Sequence, residues 1–287
     1  MASGLRFGFV VPYADAREFA ELAALGERHG WDAVFSWEAL WGVDAWVALA
    51  AAAMATERIR LGTLLTPVPR RRPWELATTV RTVDTLSGGR TIVGAGLGAL
   101  HEGWTAFEAD EGRKVRAEKL DEGLAIYDGL MRGQPFAFHG KHFSAAPTDF
   151  MLPDPPVQQP RPPVWVVGAH VLGRARQPSL ERAARWDGVL PQVVDKGERG
   201  KPDQLQAFAD VVGAVRRIRE QADLSWEGYD VVVEADSSRE FVQLEPAEPA
   251  AWAQAGATWW VESWWSLGRT PEDNAELRRR IGAGPPG

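Results

Sequence analysis

The chain has 287 residues, 45% of them hydrophobic and 25% charged, the balance of a globular protein and not of a fibrous or disordered one. Its 32 Lys and Arg against 39 Asp and Glu leave a net charge of −7, so a broad basic footprint for nucleic acid is absent. With no cysteine, disulfides, thiolate nucleophiles, iron–sulfur clusters and Cys-ligated zinc are excluded together, a pattern that fits the cytoplasm.

The first residues, Met1 to Phe7, lack a basic stretch followed by an apolar one, so no signal peptide is expected. Leu5 to Val11 reads as a buried strand. Asp15 then caps a helix from Ala16 to His29, stopped at Gly30. Ala33-Val34-Phe35 is a second strand. Asp44 caps the alanine-rich helix Ala45 to Ala55; these 11 residues are the longest apolar run, where a membrane span needs about 20. Ile59 to Thr66 is a third strand, and Pro73 opens a helix to about Leu86. Gly88-Gly89 turns the chain into a fourth strand, Thr91 to Val93.

There the rhythm breaks. Gly94 to Gly112 is glycine-rich and polar, and an amphipathic helix follows from Arg113 to Met131. Phe136 to Phe143 reads as a hairpin, and seven prolines between 147 and 163 suit an extended crossing. The rhythm then resumes with strands at Val164–Val167, Gly188–Leu190, Tyr229–Glu234 and Thr258–Glu262. Helices follow them at Ser179–Arg185, Pro202–Glu220 and Pro246–Ala255, and Thr270 caps a last helix through Ile281. Eight strand–helix units predict an α/β fold, a (β/α)₈ TIM barrel with an insertion between strands four and five. The expectation is one domain over residues 1–287, with a flexible tail at 282–287.

In such a barrel the chemistry sits at the C-terminal strand ends. The candidates there are Trp37 and Glu38 after strand two, and Leu64, Leu65 and Thr66 at the end of strand three. Gly94 to Gly98 follow strand four, Gly168, Ala169 and His170 strand five, Glu234 strand seven, and Glu262, Trp264 and Trp265 strand eight. Three glycines at the mouth allow a backbone to approach a flat ligand, or simply open a loop. Gly168-Ala169 before a helix offers N–H groups to a phosphate. His101 and His170 are either proton donors or solvated side chains. His139 and His142 flank the hairpin turn without a third ligand, so no metal is expected. Fourteen Trp against three Tyr indicate an aromatic-lined cleft or a heavily packed periphery.

Several stretches in order resemble the bacterial luciferase-like flavin monooxygenase superfamily. They are Leu5 to Phe9, Trp31 to Glu38, Arg58 to Pro67 with Arg72-Pro73, Leu86 to Arg90 with Gly94 to Gly98, Pro160 to Val166, and Ala183 to Gly188. The resemblance covers about residues 5 to 282. It implies a (β/α)₈ barrel and an oxidoreductase or monooxygenase that binds FMN or the deazaflavin F420 and moves hydride or oxygen. It implies a small-molecule substrate, a separate flavin reductase where FMN is used, and a family habit of homodimers. It further implies a cis Leu64–Leu65 peptide against the cofactor ring, ring contacts from Thr66, Gly96, Leu97 and Gly98, and a phosphate stretch at Gly168-Ala169. Trp37, Trp104, Trp264 and Trp265 then shape the substrate pocket, and Glu38, His101 and His170 are the catalytic candidates.

Two departures accompany the resemblance. Where many members carry Asp-His after strand two, this chain has Glu38-Ala39, and where many F420-dependent members carry Glu after the strand-four glycines it has Ala99. A barrel that holds its ligand without turnover is therefore an alternative. A glycosidase using two of Glu38, Glu234 and Glu262 is a more distant one.

Overall fold

The structure, a computed structural model, describes residues 4–100, 103–194, 203–236, 244 and 248–286. The chain alternates β1 (Arg6–Val10), α1 (Ala16–Arg28), β2 (Ala33–Ser36), α2 (Ala45–Ala55), β3 (Arg60–Pro67), α3 (Pro73–Ser87), β4 (Thr91–Gly96) and α4 (Arg113–Arg132). A hairpin of β5 (Phe138–His139) and β6 (Ser144–Ala145) interrupts it. The alternation then continues through β7 (Val164–Val171), α5 (Pro178–Ala183), β8 (Gly188–Val194), α6 (Gln204–Gln221), β9 (Asp230–Ala235), α7 (Pro249–Gln254), β10 (Trp259–Ser263) and α8 (Pro271–Gly282). Leaving out the hairpin, eight parallel strands close into a barrel in chain order, β10 pairing with β1 from Arg6↔Trp259 to Val10↔Ser263.

The predicted caps are present. Asp15 accepts the Glu18 N–H at 2.9 Å, Asp44 accepts those of Trp46 and Val47, and Thr270 forms a capping box with Asp273. The apolar core has two compartments. The larger lies between the strands and the helices. The smaller fills the barrel interior with Val10, Ala33, Phe35, Leu64, Ile92, Trp165, Leu190, Val232, Trp259 and Val261. Rings as large as Phe35 and Trp165 fit inside because glycines face them. A Cβ on Gly62 would lie 2.7 Å from Phe35, and one on Gly188 would lie 2.5 Å from Trp165. The N-terminal end of the barrel is closed by polar groups. Arg6 pairs with Asp230 and lies 4.4 Å over the Trp259 ring, and the Trp165 indole donates to Asp230 at 3.0 Å. The opposite end stays open.

Two parts of the chain differ most from the sequence reading. The fifth barrel strand runs to Val171, four residues beyond Val167, because β8 continues beside it as far as Val194. The short hairpin strands lie at the ends of a turn that contains Gly140 to Phe143. That turn is held on α4 by Glu122, which accepts the N–H groups of Lys141, His142 and Phe143 at 2.7 to 2.9 Å. The His142 ring meets Glu118 at 2.8 Å, so it fastens the insertion to the helix. Among the described residues no helix is long and apolar enough to cross a membrane.

Candidate active site

The site begins with an irregularity in β3. Thr63 pairs with Val93 and Thr66 with Ala95, so β3 carries one more residue than β4 across the same span. The extra residue falls at Leu64–Leu65, whose peptide bond is cis, as the resemblance implied. Gly94 belongs to this bulge: a Cβ there would stand 2.1 Å from the Thr63 carbonyl oxygen. Its glycine is therefore required by the strand itself, not by a ligand.

Above the barrel interior lies a cavity of about 320 Å³. Leu64, Leu65, Pro67, Ala99, Val167 and Leu190 make most of its surface apolar, and Glu38, Gln192 and Glu234 add polar groups. Trp37 and Trp265 form an aromatic wall. Their rings stand edge to face at 5.7 Å and 85°, and Tyr13 packs on Trp37 at 6.0 Å and 90°. The Trp37 indole donates to the Pro12 carbonyl, and the Trp265 indole donates to Glu234 Oε1 at 2.9 Å.

Glu38 has both oxygens engaged. Oε1 accepts from the Trp46 indole at 2.8 Å and the Thr66 hydroxyl at 2.6 Å, and Oε2 pairs with Arg71 Nε at 2.8 Å. Thr66 also meets the Thr63 hydroxyl at 3.0 Å, and Thr63 donates to the Gly94 carbonyl at 3.2 Å. One chain of hydrogen bonds thus ties the ends of β2, β3 and β4 together beneath the cavity. Thr66 is fully buried within it. Its place is behind the cavity wall, in support of it.

A second cavity of about 220 Å³ adjoins the first and shares Leu65, Ala99 and Val167 with it. Gly96, Leu97 and Gly98 line one side; Arg113, Ser179 and Arg182 line the other. A Cβ on Gly96 would lie 2.8 Å from Leu65, and Gly98 has φ +76°, so both positions suit glycine. Arg116 holds this loop by donating to the Gly98 carbonyl at 2.8 Å while pairing with Asp110. Arg182 is held by Asp121 through two bonds of 2.7 and 2.8 Å. Arg113 has no ion-pair partner among the described residues. An apolar cavity beside one lined by Arg113 and Arg182 fits a flat cofactor that carries a phosphate, as FMN and F420 both do.

Several expected site residues stand elsewhere. Gly168 and Ala169 lie inside β7. A Cβ on Gly168 would meet Val189 at 2.5 Å, so its glycine serves strand packing, whereas Ala169 does line the second cavity, with its N–H donating to Ser179 Oγ at 3.0 Å. Ser179 Oγ is spent between that N–H and the Val167 carbonyl, to which it donates at 3.0 Å, so the groups left to meet a phosphate here are Arg113 and Arg182, which the sequence reading missed. They come from two helices far apart in the chain, and no local motif joins them. His170 shares the strand face of Val166 and Gly168, which packs against α5, so it points away from the cavity. His101 lies outside the described residues. Trp264 is a core residue, 2% exposed and edge-on to Trp31 at 6.1 Å. Trp104 is also buried, between the Arg70 and Arg116 guanidinium groups at 5.7 and 5.9 Å. Neither indole lines the two cavities. Glu262 is completely buried and accepts from the Trp260 indole at 2.8 Å on the helix-facing side. With Glu38 bound to Arg71, this leaves the carboxylates poorly disposed to flank a glycosidic bond together.

The fold is a (β/α)₈ barrel with two adjoining cavities at its mouth. The chain belongs to the luciferase-like monooxygenase family, whose model matches residues 5–193. It is 33% identical over 238 residues to an F420-dependent glucose-6-phosphate dehydrogenase of Beutenbergia cavernae, covering 77% of this chain and 66% of that one. The chain spans between 31% and 66% of the length of such curated relatives. The F420-dependent tetrahydromethanopterin reductase of Methanopyrus kandleri superposes with a TM-score of 0.73 at 16% identity, over 98% of both chains. The oxygenating constituent of 3,6-diketocamphane monooxygenase from Pseudomonas putida, in complex with FMN, superposes with a TM-score of 0.62 at 18% identity, over 81% of this chain and 67% of that one. At these identities the structural likeness establishes the fold.

Proposed function

We propose that this protein is a flavin- or F420-dependent oxidoreductase acting on a small organic substrate at the barrel mouth. The observation that carries the proposal is the pair of adjoining cavities, one apolar and floored by the Leu64–Leu65 bulge, the other basic. Leu64 and Leu65 would support the ring, and Arg113 and Arg182 would hold the phosphate. When bound, such a cofactor supplies hydride or oxygen chemistry. This chain's own residues orient and enclose it. The Glu38–Thr66–Thr63 chain keeps the floor in place, and Trp37 and Trp265 wall the substrate side and exclude water. The curated relatives favour F420. With FMN, a separate flavin reductase would be the electron source. A cytoplasmic setting belongs to the same proposal.

A ligand-holding barrel without turnover is the second reading. It is favoured by Ala39 and Ala99 and by the full engagement of Glu38. Equilibrium titration with FMN and with F420, followed by absorbance, separates the outcomes. Binding of either, weakened about tenfold or more by Arg113→Ala, supports the site. Binding without redox change under any donor supports the second reading. No binding of either refutes both.

A further inference from the structure

Three polar side chains other than the two indoles line the larger cavity, and they are not equivalent. Glu38 is saturated by Trp46, Thr66 and Arg71. Gln192 does not titrate. Glu234 is different: the Trp265 indole donates to Oε1 at 2.9 Å, and Oε2 has no donor among the described residues. Its position follows from strand alternation. Val232 packs in the barrel interior, and Glu234, two residues on, rises from the same face of β9 into the cavity. The Trp265 indole fixes the carboxylate from one side and leaves the second oxygen to the cavity.

We propose that Glu234 is the proton-exchanging carboxylate of this site, and that its substrate carries an O–H or N–H group on the reacting carbon. The proposal rests on the oxidoreductase reading above and names the substrate class for it. When bound, the oxidised flavin or deazaflavin would take the hydrogen of that carbon as hydride. The O–H or N–H proton passes to Glu234 Oε2, and the electron pair it leaves closes the C=O or C=N bond. Reduction runs the same exchange backwards. Among the described residues, charged groups around Glu234 include Glu38 on the same cavity, paired with Arg71, Asp236 just beyond β9, and Glu262, which pairs in register with Ala235 from β10 and faces the helices.

The test uses Glu234→Gln, which keeps an oxygen acceptor for Trp265 but cannot exchange a proton, and Glu234→Asp, which keeps the carboxylate. The indole N–H resonance of Trp265, assigned by its loss in Trp265→Phe, reports on its acceptor directly. In the wild type it should move as pH is lowered, and move again on addition of benzylamine, a probe with N–H donors on a benzylic carbon. In Glu234→Gln it should do neither, and in Glu234→Asp the pH response should return. A panel of alcohols and amines, followed by the absorbance of F420 or FMN, should yield a substrate oxidised at least about 100-fold more slowly by Glu234→Gln, with cofactor affinity unchanged. A wild-type indole indifferent to both pH and benzylamine overturns the proposal. So does a substrate without O–H or N–H on the reacting carbon that the Gln variant turns over at the wild-type rate. If neither cofactor binds, the oxidoreductase reading fails, while the indole titration still decides whether Glu234 ionises and receives an N–H donor.

Discussion

Replacing Glu38 by Ala tests whether this carboxylate holds the site together. Its side chain is 10% exposed and that of its partner Arg71 is 25% exposed. Deletion leaves the Arg71 guanidinium and the Trp46 indole without their acceptor. The Thr66 hydroxyl loses least, since it can turn wholly to Thr63 at 3.0 Å. Removing one partner of a buried ion pair costs about 3–5 kcal/mol, and the partial exposure of Arg71 puts this case at the low end. A net loss of about 3 kcal/mol lowers Tm by about 6–12 °C in a chain of this size. Glu38→Gln keeps an oxygen for Thr66 and Trp46 but turns an amide N–H₂ toward the Arg71 Nε–H, so it should cost about 2 kcal/mol, less than the alanine. Thermal unfolding of the three proteins in parallel gives the ranking, and FMN or F420 titration shows whether the cavity floor has moved. The Ala variant should bind more weakly than the Gln variant. A Glu38→Ala protein that melts within about 2 °C of the wild type would refute the reasoning.

Gly94→Ala should destabilise by about 3 kcal/mol in urea unfolding, because its Cβ would meet the Thr63 carbonyl at 2.1 Å; an unchanged midpoint would show that the bulge has room to relax. Trp264→Phe should lower Tm and leave cofactor titration unchanged, since Trp264 is core. Trp265→Phe should show the reverse, and equal effects from the two would contradict their assignment to different compartments. Glu27 accepts the N–H groups of residues 57 to 59. Burial pulls its carboxyl pKa up, but those three donors together hold it below the ordinary value. Its stabilising effect, about 1 kcal/mol, is therefore complete above the ordinary carboxylate pKa of about 4.3 and fades as pH falls through the lower folded value. The Tm gap between wild type and Glu27→Gln should be present at neutral pH and close in strong acid; a gap that widens on acidification would reverse the sign.

Much of this protein is legible one segment at a time. Apolar strands alternating with capped helices determine the barrel, because strand and helix periods and the caps at Asp15, Asp44 and Thr270 are short-range properties of the chain. The Leu64–Leu65 bulge was legible through its resemblance to a known motif. The facing of side chains was not. Trp264 and Trp265 are neighbours in sequence, yet one enters the core and the other the cavity, since consecutive side chains at a strand end diverge. The extension of β7 to Val171 turned Gly168 to His170 from loop into strand, which leaves Ala169 on the second cavity and turns Gly168 and the His170 imidazole toward α5. Glu38, Glu234 and Glu262 read alike as strand-end carboxylates. Closure of the ring set Glu38 against Arg71, sealed Glu262 under the helices with Trp260, and left Glu234 with an oxygen facing the cavity. Arg113 and Arg182 became neighbours only when the closed barrel brought α5 within reach of α4, where Arg182 pairs with Asp121. Periodicity determines which elements form, but the partners of a polar side chain depend on residues distant in sequence, and only the closed barrel brings those together.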